Sequence, residues 1–259
     1  MMKTSNFITD LAQQTGQLLL QKFKLFGTDV SIKPDRTVVT EADIAADRFI
    51  TQEILKYYPG EAILSEELHP EIEQTDSPIW IIDPLDGSAN YSLGLPIWGV
   101  SIVRLVNSWP ETAAVFFPAI GELYTSTRGN GSFLNGQPIE VKPPRPDQPA
   151  SFFSCCSRTH RLYQVDLRYK TRILGSACYS WCALARGMAI ISFEATPKIW
   201  DIASGWLIIK EAHGDIQLHD GSSPFPIKPG VNYSQLNLAT IAAASPELMT
   251  KAKAQIRLK

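Results

Sequence analysis

The stretch Trp80-Ile81-Ile82-Asp83-Pro84-Leu85-Asp86-Gly87-Ser88-Ala89-Asn90-Tyr91 constrains this chain more than any other. An apolar run, Ile79-Trp80-Ile81-Ile82, follows Pro78 and reads as a buried strand. It delivers two carboxylates, Asp83 and Asp86, and then a glycine and a hydroxyl. Pro84 biases Asp83 towards an extended backbone, and Gly87 permits a tight turn or a close backbone approach. Two readings are open. The segment is a polar turn after a strand, or it is a strand end that holds a hard cation beside backbone N–H groups, a geometry suited to metal plus phosphate.

A chain of 259 residues has room for one large domain or two modest ones. Its 44% hydrophobic and 19% charged residues describe an ordinary water-soluble globular protein, and a net charge of -2 argues against a general nucleic-acid or membrane-surface binder. Residues 1–26 hold no apolar run longer than Leu18-Leu19-Leu20, so neither a signal peptide nor a spanning helix is expected. Cys155, Cys156, Cys178 and Cys182 form no CxxC pair and are too sparse for a disulfide scaffold, which points to a reducing cytoplasm. Cys178 and Cys182 could join His213 and His219 around zinc. That spacing matches no common pattern, and buried small hydrophobes are the simpler reading.

In chain order, residues 5–24 form an amphipathic helix with Ser5 near its start, and two short strands surround a Pro34-Asp35 turn. Thr40 and Asp43 approximate a capping box before a helical face of Ala46, Phe49, Ile50, Ile54 and Tyr57, so Asp43 reads as a cap residue or as part of a site. The strand Ala62–Ser65 runs into Glu66-Glu67, a solvated pair or a ligand pair. An antiparallel meander spans Trp98–Val106, Thr112–Phe117 and Glu122–Thr127, with an Asn135-Gly136 hairpin after it. The proline-rich run 142–149 marks a subdomain boundary. Beyond it come a strand over 152–155, a helix opening at Arg158, a basic stretch (Arg158, Arg161, Arg168, Lys170, Arg172) read as a solvated face, and a helix entered through Gly175-Ser176-Ala177. A buried strand, Ala189–Phe193, arrives at Glu194, and Asp201 sits where the N-cap of the next helix belongs. A strand over 238–243 and a helix from Ser245 complete the chain.

Glu66, Asp83, Asp86 and Asp201 all fall at strand ends or helix starts, where the backbone can aim them at one place. Without cations, converging carboxylates repel one another at a cost of roughly several kcal/mol when partly buried. Hard divalent ions relieve that repulsion, and all-oxygen ligation favours Mg²⁺. The absence of a GxxxxGK[ST] loop weakens kinase and ATPase readings.

These residues resemble the inositol monophosphatase family of Mg²⁺-dependent, lithium-sensitive sugar phosphatases. Asp83-Pro84-Leu85-Asp86-Gly87-Ser88-Ala89-Asn90-Tyr91 is similar to the family's DP(I/L)DGTxNF motif, and Trp200-Asp201-Ile202-Ala203 with Glu211-Ala212 to its WDxA and EAGG motif. Glu66-Glu67 resembles the GEE site, Val39-Thr40-Glu41-Ala42-Asp43 the VTxxD site, and Gly131-Ser132-Phe133-Leu134-Asn135-Gly136 a further pattern between them.

The resemblance implies an α/β (α+β layered) αβαβα sandwich, with an N-terminal subdomain over 1–144 holding the antiparallel sheet and most metal ligands, and a C-terminal subdomain over 145–259. It implies a homodimer, two to three Mg²⁺ ions, and hydrolysis of inositol monophosphate or a similar polyol or sugar phosphate by a metal-activated water. Histidinol phosphate, fructose 1,6-bisphosphate and 3′-phosphoadenosine 5′-phosphate are alternative substrates, and an inactive regulatory role is the non-enzymatic alternative. Glu66, Asp83 and the Leu85 carbonyl would hold one ion, Asp83, Asp86 and Asp201 a second, and a weaker third would lie near Glu66. Ser88 and Asp43 would orient the attacking water with Glu67 in support, and the Gly87 and Ser88 N–H groups would hold phosphate. Glu194 would contact substrate hydroxyls, and Gly175, Ser176 and Ala177 would line the pocket. Ser65, Ser88 and His213 depart from the family's usual Gly, Thr and Gly, and none removes a ligand oxygen.

Overall fold

The computed structural model describes residues 3–23, 31–32, 38–39, 41–73, 76–143 and 151–259. Helix α1 (Thr4–Lys22) buries Phe7, Ile8, Leu11, Ala12, Thr15 and Leu19, a stripe spaced three and four apart. Strands β1 (Ser31–Ile32) and β2 (Val38–Val39) pair antiparallel. The Pro34-Asp35 turn and Thr40 of the expected capping box lie outside the described residues. Helix α2 (Glu41–Tyr57) buries Ala46, Ile50 and Ile54 as its spacing predicts, but Tyr57 ends the helix 52% exposed. Asp43, Asp47 and Thr51 share the buried side of α2 at successive turns.

A seven-stranded sheet follows: β3 (Ala62–Ser65), β4 (Ile79–Asp86), then, after the short helix α3 (Ser88–Ser92), β5 (Gly99–Val106), β6 (Trp109–Phe117), β7 (Glu122–Thr127), β8 (Ser132–Leu134) and β9 (Gln137–Ile139). Only the β3–β4 pairing in this sheet is parallel. The two tightest turns run through Asn107-Ser108 and Asn135-Gly136, all four residues at positive φ. That conformation matches the twist of the strands it joins.

The second half begins with β10 (Phe152–Cys155), the one-turn helix α4 (Thr159–Leu162), β11 (Tyr163–Val165), β12 (Lys170–Arg172) and α5 (Ala177–Ala185). It continues with β13 (Ala189–Glu194), α6 (Ile199–Glu211), β14 (Asp215–Leu218), β15 (Thr240–Ala243), α7 (Pro246–Gln255) and β16 (Ile256–Leu258). Five strands form a sheet in the order β12-β10-β13-β15-β14, in which β12, β10 and β13 are parallel. Strands β15 and β14 run antiparallel, and β11 pairs with β16 apart from the sheet.

Helices α1 and α2 cover one face of the large sheet, and α6 packs on the other. Helix α5 lies between α6 and the small sheet, whose far side meets α7. The layers therefore run α, β, α, β, α. Period-two alternation splits the large sheet between two cores. Trp80, Ile82, Val100, Ile102, Ala114 and Phe116 point to α1 and α2. Ile79, Ile81, Val103, Leu105, Val115 and Phe117 join the central core, which continues through α5, α6 and the small sheet.

Helix α6 stops where Gly is the usual residue, but His213 occupies the position at φ 65° and is exposed. A side chain in that region costs about 1–2 kcal/mol, part of which glycine returns through its freer unfolded state. His213→Gly is expected to raise unfolding stability by about 0.5–1 kcal/mol, read as a shifted urea midpoint at unchanged slope.

Candidate active site

Strand β4 is buried along its whole length and does not stop at Ile82, as its apolar run suggests, but continues to Asp86. Its pairing with β5 is interrupted between Asp83 and Asp86, and Pro84, which has no N–H to give, sits in that interruption. Asp83 Oδ1 accepts the Leu85 N–H at 3.1 Å, which folds the strand end back on itself. Gly87 then turns the chain at φ 87°, and a Cβ there would lie 3.0 Å from the Ile97 carbonyl oxygen. Asn90 donates to the carbonyls of Ile97 (2.7 Å) and Leu174 (2.8 Å), and the Tyr91 hydroxyl donates to Leu19 O at 2.9 Å. The motif is thereby pinned to both halves of the molecule.

Four elements bring the acids together. Glu66 follows β3, Asp83 and Asp86 lie on β4, Asp201 opens α6, and Asp43 is buried on α2. Asp201 is not the N-cap that its sequence position suggests. Lys198 holds that place, and Asp201, in the third helical position, accepts the Lys198 N–H at 2.6 Å. Carboxylate oxygens of Glu66, Asp83 and Asp201 lie within 4.8 Å of one another, as do ligand atoms of Asp83, Asp86 and Cys178. Asp83 belongs to both groups.

Asp86 is held at the start of α5. The Ser176 hydroxyl donates to its Oδ2, and the N–H groups of Ala177 (3.0 Å) and Cys178 (3.4 Å) donate to its Oδ1. Asp83 Oδ2, by contrast, is buried and has no hydrogen-bond partner, although the residue is only 1% exposed. A buried carboxylate oxygen left unpaired among other acids fits a bound hard cation, and oxygen donors of this kind suit Mg²⁺.

Burial is the main force on these groups. It raises Asp83 well above the usual carboxylate range, with Glu66 adding repulsion, and it pushes Asp201 up to about 8. Asp86 rises only to about 6, because burial is opposed by the Ser176, Cys178 and Ala177 hydrogen bonds. An acid raised in the folded state binds its proton more tightly there than in the unfolded chain. Its contribution to stability therefore falls as pH rises from about 4 towards 8. The melting temperature of the metal-free protein is expected to drop between pH 5 and pH 8, and saturating Mg²⁺ is expected to remove most of that drop. Scanning calorimetry over this range reads both.

Ser88 Oγ lies 3.0 Å from Asp43 Oδ1 and 3.0 Å from the Leu85 carbonyl oxygen. It has one proton to give, so donation to either leaves a lone pair facing the cavity. That cavity measures about 460 Å³. Glu66, Glu67, Asp83, Leu85, Asp86, Gly87, Ser88, Gly175 and Asp201 line it. Asp43, Ser176 and Ala177 are not among the lining residues, nor is Glu194, 5% exposed at the end of β13. Burial pushes Glu194 up to about 8, against hydrogen bonds from Ser180 and Cys156.

Sequence reasoning missed two residues here. Arg158 does not join the solvated basic face. Its Nη1 donates to Thr196 Oγ1 at 3.0 Å and it lines the cavity, whereas Arg161, Arg168, Lys170 and Arg172 are exposed. Asp47 is fully buried on α2 and accepts the Glu67 (3.3 Å) and Leu68 (3.2 Å) N–H groups on Oδ2 and the Thr51 hydroxyl (3.1 Å) on Oδ1. The signal for Asp47 was its place one turn after Asp43. It anchors the loop that carries Glu66. Asp47→Ala is expected to cost about 2 kcal/mol in chemical denaturation and to raise the Mg²⁺ concentration needed for half-maximal activity. The zinc alternative has no geometry to support it. Cys178 and Cys182 are buried thiols, and no candidate metal group among the described residues contains a histidine.

The chain is 33% identical to the histidinol-phosphatase of Chlorobaculum parvum over 215 residues, covering 79% of this chain and 82% of that protein. It is 30% identical to the Nus factor SuhB of Escherichia coli over 97% of this chain and 95% of the relative. Its fold superposes on a solved Thermotoga maritima IMPase with a TM-score of 0.80 at 27% identity, covering 98% and 96% of the two chains. The acids gathered around Asp83 lie within a match to the Inositol monophosphatase family profile that runs from residue 2 to residue 254, and the chain belongs to that family.

Proposed function

We propose that the chain is a Mg²⁺-dependent phosphate monoester hydrolase acting on a small phosphorylated polyol or sugar, with inositol monophosphate as the reference substrate. One observation carries the reading: Asp83, shared by two groups of ligand atoms, is buried with its Oδ2 unpaired. Glu66, Asp83 and the Leu85 carbonyl would hold one ion, and Asp83, Asp86 and Asp201 a second. A third would lie near Glu66, giving about two to three Mg²⁺ per chain. Bound Mg²⁺ offsets the clustered negative charge, polarises the phosphate ester and lowers the pKa of a water nucleophile.

The chain's own groups do the rest. Ser88 Oγ accepts a hydrogen bond from the attacking water while its proton lies towards Asp43 Oδ1. Glu67, on the cavity wall, supports the same water. The Gly87 and Ser88 N–H groups receive the phosphate oxygens, and Gly175, Ser176 and Ala177 shape the pocket beside them. The family resemblance also assigns Glu194, at the end of β13, to substrate hydroxyls. Subdomains over 1–144 and 145–259, a homodimer, a cytoplasmic location and inhibition by lithium belong to the same reading.

A regulatory role without catalysis is the rival, because relatives from Xylella fastidiosa and Escherichia coli are named Nus factor SuhB. The complete set of acids supports the enzyme. Phosphate release should be measured with inositol 1-phosphate, fructose 1,6-bisphosphate, histidinol phosphate and 3′-phosphoadenosine 5′-phosphate. Release that requires Mg²⁺, stops with EDTA and favours the polyol and sugar phosphates is expected. No release from any substrate would overturn the enzymatic reading, and a preference for the nucleotide by orders of magnitude would overturn the substrate class.

A further inference from the structure

Cations as well as acids line the cavity, and the two sets do not neutralise each other. Arg158 and Lys198 share the wall with Glu66, Asp83, Asp86 and Asp201. Among the described residues neither cation belongs to an ion pair. Their partners are neutral: Arg158 Nη1 donates to Thr196 Oγ1 at 3.0 Å, and Lys198 Nζ donates to Asn237 Oδ1 at 3.1 Å. Cations present to balance the acids would pair with them, yet no Arg158 or Lys198 nitrogen bonds to Asp83, whose Oδ2 lacks a hydrogen-bond partner.

The topology explains how both cations reach this wall. Arg158 follows the end of β10, and Thr196 and Lys198 follow the end of β13, a neighbouring parallel strand. Loops leaving the carboxyl ends of adjacent parallel strands emerge together, where such sheets bind ligands. A guanidinium with one nitrogen held by a neutral hydroxyl keeps its remaining donors for a planar or tetrahedral anion.

We propose that Arg158 and Lys198 form a subsite for a second anionic group on the substrate, so that the preferred polyol or sugar phosphates carry another phosphate or a carboxylate. The inference rests on the phosphatase reading and narrows its substrate class. It also disfavours histidinol phosphate, whose second charged group is an amine.

The test uses the Mg²⁺-loaded full chain and matched substrates: inositol 1-phosphate against inositol 1,4-bisphosphate, and fructose 1-phosphate against fructose 1,6-bisphosphate. The wild-type protein should prefer the doubly anionic member of each pair by about tenfold or more in kcat/KM, and histidinol phosphate should rank below all four. In Arg158→Ala that preference ratio should collapse towards one, through KM more than kcat. Arg158→Lys should keep part of it, and Lys198→Met should lower it independently. No wild-type preference, or a loss in Arg158→Ala that is equal on both members of a pair, would overturn the subsite while the phosphatase reading stands. No hydrolysis of any member would overturn both.

Discussion

Asp83→Asn is expected to reduce Mg²⁺-dependent phosphate release by about a thousandfold or more while raising the melting temperature of the metal-free protein. The loss follows from position. Asp83 belongs to both groups of converging ligand atoms and to both proposed cation sites, so one substitution would weaken both, and a single well-placed electrostatic group is worth about 10²–10³ in rate. The gain follows from burial. Asp83 is 1% exposed, its pKa is driven up first by desolvation and then by Glu66, Asp86 and Asp201, and Oδ2 has no partner. A neutral amide of the same shape removes that repulsion and keeps an oxygen for the Leu85 N–H. Opposite signs on activity and stability separate a strained functional site from a simple folding defect. Activity lost together with melting temperature would mean that Asp83 is structural.

Ser88→Ala is expected to lower kcat by about 10²-fold, with KM little changed, and Ser88→Thr to stay within a few-fold of wild type. In the proposed mechanism the reaction would use the hydroxyl at 3.0 Å from Asp43 Oδ1, and threonine keeps it. Asp43→Asn should cost a similar factor. The double variant should be little worse than either single, because groups that act in series on one proton are not additive. Full additivity would place Ser88 and Asp43 in separate roles.

The strand that aims the site was legible because four consecutive apolar residues run straight into the motif, and every one of them is buried. Its end was not. An apolar count stops at Ile82, whereas pairing with β5 resumes at Asp86 after the interruption that accommodates Pro84. Local rules placed Asp201 at a helix start and missed its register by three residues, since an acid in the third position serves the cap from inside the helix. Strand β12, Lys-Thr-Arg, is exposed and polar, so no sequence pattern marks it and only its pairing with β10 makes it a strand. Asp47 sits one turn after Asp43, but the N–H groups it serves come only with the loop after Glu66. Arg158 reads as one of five basic residues, and only the adjacency of β10 and β13 turns it inward. Asp201 apart, the missing information was a long-range contact, which a local pattern does not carry.

Divalent-cation binding by the gathered acids is tested directly by calorimetric titration of MgCl₂ into the metal-free protein at pH 8. Wild-type protein should bind more than one Mg²⁺ per chain, and Asp83→Asn should lose binding at both proposed sites. Wild-type protein that binds no Mg²⁺, or an Asp83→Asn variant that binds as wild type does, would contradict it.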